Sequence, residues 1–208
     1  MLFRVTVLPG LIVRLCAFLL LFAAWQPATA KPEPATARVR LETSFGPIMI
    51  EVDLRHAPIS SRNFLAYVDA KRFDGTSFYR AARYRTSPQY GLVQGGIDHK
   101  VRRAFVPIAH EPTSKTGLRH VDGTVSMARN QPGTAMGDFF ICVGVATYLD
   151  AGPGGNPPGY AAFGRVVSGM DVVRRILAQP TYKGGYSYAT MGQSIRDRVI
   201  IRTARRVG

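Results

Sequence analysis

The sequence predicts a mainly antiparallel β domain with two helices. Apolar residues alternate with period two near both ends, short apolar runs punctuated by Gly and Pro fill the middle, and two stretches keep helical spacing instead. At 208 residues, 46% hydrophobic and 19% charged, the chain has the length of one domain and enough apolar residues for a sizeable core. That composition argues against disorder, collagen and disulfide-framework classes. The two cysteines show no Cys-x-x-Cys or paired His/Cys spacing, so no metal and no cofactor is expected. The formal net charge of +14 raises the question of a polyanionic partner.

Residues 1–30 read as a secretory signal peptide. They hold no acid, two arginines (Arg4, Arg14), an apolar run from Leu15 to Ala24 and the small-residue site Ala28-Thr29-Ala30. The apolar run is shorter than the roughly 20 residues a bilayer span needs, so no stable membrane anchor is expected after cleavage following Ala30. Without those 30 residues and their two arginines, 178 residues remain with 25 basic and 13 acidic side chains, net +12. Cys142 would be the sole thiol, so no internal disulfide could form. The expected destination is a bacterial periplasm or the medium outside the cell, which counts against a nucleic-acid partner.

The elements follow in order. Residues 31–37, with two prolines, read as a flexible lead-in to a domain spanning 38–208. Val39 and Leu41 alternate with Arg38, Arg40 and Glu42; Ser44-Phe45-Gly46 turns the chain; Ile48, Ile50 and Val52 alternate in a second strand. Pro58 opens a helix with Phe64, Leu65 and Val68 on one face, Ser60 or Ser61 as its cap and Phe73-Asp74-Gly75 ending it. Short strands are expected at 77–82, 92–94, 124–128, 139–143 and 161–166, a surface loop at 150–159, a second helix from Met170 to Ala178 stopped by Pro180, and a last strand over 195–201.

Recognised catalytic constellations are weak. The four histidines are scattered, and Cys142 sits in the apolar run Phe139-Phe140-Ile141-Cys142-Val143, the setting of a buried hydrophobe. Ser77-Phe78-Tyr79-Arg80, Val93-Gln94-Gly95-Gly96, Ser126-Met127-Ala128-Arg129, Asp138-Phe139-Phe140-Ile141, Tyr148-Leu149-Asp150 and Ala162-Phe163-Gly164-Arg165-Val166 occur in the order hairpin, helix, motifs, helix, strand. In that order, from about Arg38 to Arg202, the chain resembles the cyclophilin family of peptidyl-prolyl cis-trans isomerases.

The resemblance implies an eight-stranded antiparallel barrel with a helix over each open end, acting on proline-containing polypeptides without cofactor or covalent intermediate. It implies that Arg80 is catalytic, donating to the prolyl nitrogen as amide resonance is lost. Phe140 would be the floor for the proline ring and Leu149, Tyr160 and Leu92 its walls; Gln94 would bind the peptide backbone, and Ala128 with Arg129 the residue before proline. Phe139 should face the core, because adjacent strand residues point opposite ways.

Several positions depart from the family pattern. Tyr148 stands in place of a frequent Trp, which should weaken cyclosporin-type inhibitors more than catalysis. Arg129 replaces Asn, Asp138 replaces Gln, and Tyr160 replaces a frequent His. If Asp138 approaches Arg80 or Arg129, it would orient that guanidinium from outside the site. The reading is a monomeric isomerase serving exported proteins; the alternative is a module or chaperone that holds proline segments with little catalysis.

Overall fold

The computed structural model describes residues 34–153, 155 and 157–208; the expected leader, residues 1–30, lies outside the described residues. Strands β1 (Thr36–Thr43) and β2 (Gly46–Asp53) form the first hairpin, with Val39 opposite Ile50 and Leu41 opposite Ile48, all four fully buried. The turn between them is possible because Gly46 adopts a φ of 122°, a left-handed value closed to most side chains.

Helix α1 (Pro58–Asp69) buries Phe64, Leu65 and Val68 as the spacing predicts. Its expected cap is not made. Ser60 and Ser61 both lie inside the helix, the N-cap position is Ala57, and the Ser61 hydroxyl donates to the Asp53 carbonyl at 2.7 Å. The orphan amides of the first turn are satisfied from elsewhere in the chain: the buried Glu111 carboxylate accepts from the N–H of Ile59 at 3.1 Å and of Ser60 at 2.9 Å.

The remaining strands are β3 (Thr76–Arg83), β4 (Gly91–Gly96), β5 (Thr124–Met127), β6 (Phe139–Val143), β7 (Ala161–Ser168), the two-residue β8 (Thr181–Tyr182) and β9 (Ser194–Val207). They are hydrogen-bonded in the order β1-β2-β7-β5-β6-β4-β3-β9, and β9 returns to pair with β1, so eight antiparallel strands close into a barrel with β8 attached to β9. β9 runs past the expected end at Ile201 to Val207, because its last residues pair with β1 across the seam. The one-turn helix α2 (Thr113–Thr116) and β8 carry no sequence periodicity and were not expected.

Helix α3 (Met170–Leu177) buries Val172, Val173, Ile176 and Leu177. Arg83 finishes it by donating to the carbonyls of Leu177 and Gln179, each at 2.8 Å, a guanidinium serving orphan helix-end acceptors. α1 follows the last residue of β2, where Ala57 N–H reaches Asp53, while α3 sits at its first, where Arg175 donates to the Phe45 carbonyl. The helices therefore cover opposite mouths of the barrel. Between them Phe64 packs against Phe139, edge to face at 5.3 Å, and against Phe73 and Phe163. The described residues of the expected surface loop 150–159 form neither helix nor strand, but its end residues Asp150 and Gly159 are buried.

Because Glu111 is a side-chain cap supplied at long range, Glu111→Ala is expected to lower the unfolding free energy by about 1–2 kcal/mol, the scale of a lost cap, read from the urea midpoint at unchanged m.

Candidate active site

Strand alternation divides the side chains of four neighbouring strands into two sets. Phe78, Val93, Val125, Met127, Phe139, Ile141 and Val143 point into the barrel core. Leu92, Phe140 and Cys142 point outward and join Ala146 and Leu149 in a second apolar cluster, with Ala82, Ala128 and Tyr160 packed on it. Phe139 and Phe140 thus separate as expected, one to the core and one to the outer face. Cys142 is fully buried in this second cluster, and burial pushes its thiol up to about 12, so it is a hydrophobe.

Arg80 reaches the outer face only through an irregularity. It shares parity with the core residue Phe78, so an unbroken strand would aim it into the barrel. The ladder to β4 shifts register between Phe78, paired with Gly95, and Arg80, paired with Gln94; Tyr79 is the extra residue of a β-bulge. After the bulge Arg80 and Gln94 stand on one face. Gly95 is needed opposite, since a Cβ there would lie 2.8 Å from the Phe78 ring.

The outer cluster floors a groove of about 800 Å³. Its lining includes every residue the resemblance singled out: Arg80, Leu92, Gln94, Ala128, Arg129, Asp138, Phe140, Tyr148, Leu149 and Tyr160. Arg80 donates from Nε to Gln193 Oε1 and from a terminal nitrogen to Gln94 Oε1, each at 2.7 Å. Gln94 in turn donates to the Tyr79 hydroxyl at 2.7 Å. Burial lowers the Arg80 pKa, but from so high a starting value that the group stays charged.

Asp138 does not play the part expected of it. Its carboxylate accepts from the backbone N–H of Asp98 at 2.8 Å and of His99 at 3.2 Å, with the His99 ring at 3.5 Å, while Arg80 is held by two glutamines. Burial raises the Asp138 pKa. Burial first, and then the Asp138 charge, also raise that of Tyr79. Arg129 lies over the Tyr160 ring, 4.6 Å from its centroid, and donates to the Gly159 carbonyl, tying that end of the 150–159 loop to the groove. Tyr148 is half exposed and meets Tyr84 edge to face at 6.0 Å.

Behind the floor lies a chain the scattered histidines do not reveal. The fully buried His120 ring stacks near-parallel to Phe140, 16° apart at 5.9 Å. Its Nδ1 bonds Asp150 Oδ1 at 2.7 Å and its Nε2 bonds Ser126 Oγ at 3.0 Å. Asp150 also accepts from the His120 N–H at 2.9 Å and from Arg119 Nε at 2.6 Å. One carboxylate thus joins the floor to the segment bearing Tyr148 and Leu149. Burial lowers the His120 pKa, opposed by Asp150. For Asp150 burial acts upward, but the bonds from His120 and Arg119 outweigh it and hold the pKa low.

Nothing in the sequence marks Gln193, which lies 113 residues from Arg80 in a stretch without periodicity. The same stretch brings Tyr186 to the groove's far end, 4.5 Å from the His99 ring, with its hydroxyl on Asp98. Only its two tyrosines between glycines hint at a surface role.

A closed antiparallel barrel with an apolar groove on its outer wall and a fixed guanidinium beside an aromatic floor has the architecture of a β-barrel enzyme. Residues 38–205 match the family described as cyclophilin type peptidyl-prolyl cis-trans isomerase/CLD, and the chain belongs to that family. It is 37% identical over 150 residues to a peptidyl-prolyl cis-trans isomerase of Acinetobacter baylyi, covering 71% of this chain and 75% of the relative. It is likewise 37% identical over 166 residues to peptidyl-prolyl cis-trans isomerase A of Dickeya dadantii, covering 78% and 81%. The fold is similar to that of a cyclophilin-type isomerase from Cryptosporidium parvum, with a TM-score of 0.65 at 21% identity over 83% of this chain and 98% of the other. That protein was also crystallised in the presence of the dipeptide Ala-Pro.

The buried His120 generates a pH dependence. Below the ordinary histidine value of 6.5 the unfolded chain takes up a proton that the folded chain resists, so stability is lost as the pH falls; Asp150 adds its share only below 3.8. The melting temperature is expected to drop between about pH 7 and pH 5, and to drop less in His120→Gln, read by calorimetry across that range.

Proposed function

We propose that this peptidyl-prolyl cis-trans isomerase uses Arg80 as its catalytic residue and serves polypeptides exported from the cytoplasm. The observation that carries the catalytic reading is the fixed, charged Arg80 guanidinium lining the same groove as the apolar floor Phe140. Rotation about an Xaa-Pro bond must cross a resonance barrier of about 18–20 kcal/mol and breaks no bond. What is required is an interaction stronger in the twisted state than in either planar one.

In the twisted state the prolyl nitrogen becomes pyramidal and regains a lone pair. Arg80 donates a hydrogen bond to that lone pair, which the planar amide does not offer. Phe140, Leu92, Leu149 and Tyr160 hold the proline ring by apolar contact, Gln94 and Ala128 with Arg129 hold the adjoining peptide, and the rest of the chain rotates. An apolar floor strengthens the Arg80 bond by excluding water from it. An Ala-Pro dipeptide, the ligand supplied to the Cryptosporidium parvum relative, is the smallest fragment of such a substrate. The smaller ring of Tyr148 is the feature expected to weaken cyclosporin-type inhibitors.

The experiment is exchange spectroscopy on an Ala-Pro-containing peptide with residues 31–208, beside Arg80→Ala and Arg80→Lys. Arg80→Ala is expected to lose about 10²–10³ in rate, the cost of one preorganised donor. Arg80→Lys should recover only part of it, since an ammonium lacks the planar fork. Peptide binding with equal, negligible exchange in wild type and Arg80→Ala would instead favour a proline-binding module.

Export rests on residues 1–30, whose apolar run and Ala28-Thr29-Ala30 site have the pattern of a cleaved leader. Expressed whole in a bacterium, the protein is expected in the periplasmic fraction beginning at Lys31, read by intact mass. Retention of an uncleaved chain in the cytoplasm would overturn export.

A further inference from the structure

We propose that Gln193 is a positioning residue for Arg80, and that its side chain must be a neutral amide so that the guanidinium keeps its charge for the substrate. The proposal rests on the reading of Arg80 as the group that acts on the prolyl nitrogen.

The geometry is specific. Gln193 Oε1 accepts from Arg80 Nε at 2.7 Å, while its Nε2 donates to the Ala189 carbonyl at 3.2 Å. Its backbone is fixed as well: its carbonyl accepts from the Ala81 N–H at 2.9 Å, one residue beyond Arg80, and its N–H donates to the Thr190 carbonyl at 3.2 Å. On the other side Gln94 Oε1 accepts from Arg80 at 2.7 Å while Gln94 Nε2 donates to Tyr79. Both amides thus have their nitrogen ends committed to other partners, which fixes their oxygens toward Arg80. The two bonds use two of the five guanidinium N–H groups and lock the plane of the fork, leaving three donors.

The clamp differs from the ion pairs that hold many of the protein's arginines; like Arg83 and Arg129, Arg80 is held by neutral oxygens, and it alone of the three has two side-chain amides around it. Arg38, Arg119, Arg165, Arg174, Arg198 and Arg205 each pair with a carboxylate. Arg80 forms no ion pair among the described residues; the titratable groups that bear on it are the phenols of Tyr79, Tyr148 and Tyr160. A carboxylate at the position of Gln193 would orient the fork equally well. It would also draw the guanidinium's charge to itself, and in a water-poor groove that loss is felt more strongly than in water. Two amide oxygens orient the group and leave it cationic.

The test is the near-isosteric Gln193→Glu, with Gln193→Ala and Arg80→Ala beside it, each assayed for Xaa-Pro exchange across pH and for melting temperature. Gln193→Glu is expected to lose at least about tenfold in kcat at neutral pH with KM little changed. Its activity relative to wild type should recover only below about pH 4, because the adjacent Arg80 charge holds the new carboxyl under the ordinary glutamate value; once protonated it again presents a neutral C=O. His99 and Asp138, farther along the groove, and Tyr186 on Gln193's own segment are present in both proteins, so the ratio to wild type at each pH removes their titration. Gln193→Ala is expected to lose activity without recovery. Wild-type activity in Gln193→Glu, or a deficit that persists in the folded protein below about pH 4, would overturn the proposal and leave Gln193 a spacer. Arg80→Ala separates the two readings: undiminished exchange there brings down both, whereas a large loss there with Gln193→Glu unaffected overturns only the role of Gln193.

Discussion

The site depends on one extra residue in β3. Strand geometry sends every second side chain to the same face, so Phe78 in the core commits Arg80 to the core as well. A buried, unpaired guanidinium among Val93, Phe139 and Ile141 would be ruinous. The bulge at Tyr79 reverses the parity, and from there Arg80 and Gln94 stand together on the outer face while Ala81 returns inward beside Val93. Everything about the groove is arranged around that reversal: the glycine opposite, the tyrosine hydroxyl that orients Gln94, and the approach of Gln193 to the bulged strand.

The groove and the barrel are consequently not separable structures. β4 and β6 contribute Val93, Phe139, Ile141 and Val143 to one side and Leu92, Phe140 and Cys142 to the other. The floor is as rigid as the sheet that bears it. The walls come from loops, and the structure fixes these with charged groups instead of apolar ones: Asp150 through His120 and Arg119, Gly159 through Arg129. His120 belongs to both systems, since its ring backs Phe140 while its Nδ1 holds the wall segment.

Those differences explain what could be read from the sequence. Period-two alternation made the first hairpin legible, because a half-buried strand leaves its burial pattern in residue order; β6 is buried on both faces, and the split between Phe139 and Phe140 was legible only once the resemblance had placed Phe140 in the site. Helices α1 and α3 were legible for the same reason at their own period. Arg80 was legible only through its motif neighbours; alternation alone would have placed it inside. Glu111 capping α1, Gln193 holding Arg80 and the Ser126–His120–Asp150 chain were not legible, since each joins polar groups of segments that only the tertiary fold brings together. Polar partners at such separations leave no periodicity. The arginine excess proved mostly a surface matter, with Glu51 shared by Arg38 and Arg165 and Asp74 taken by Arg205.

The seam that closes the barrel joins its first strand to its last, with Arg38 opposite Val207 and Leu41 opposite Ala204. The start of β1 and the end of β9 lie at the same edge. Tension applied to them would therefore act as on a zip, opening one rung at a time from Val207 inward, and would not load all rungs together in shear. Peeling β9 also strips β3 of its neighbour, because β9 pairs on both sides. A machine that threads the chain from beyond Val207 would thus dismantle the arginine side of the groove first, while β2, β7 and β5 were still joined.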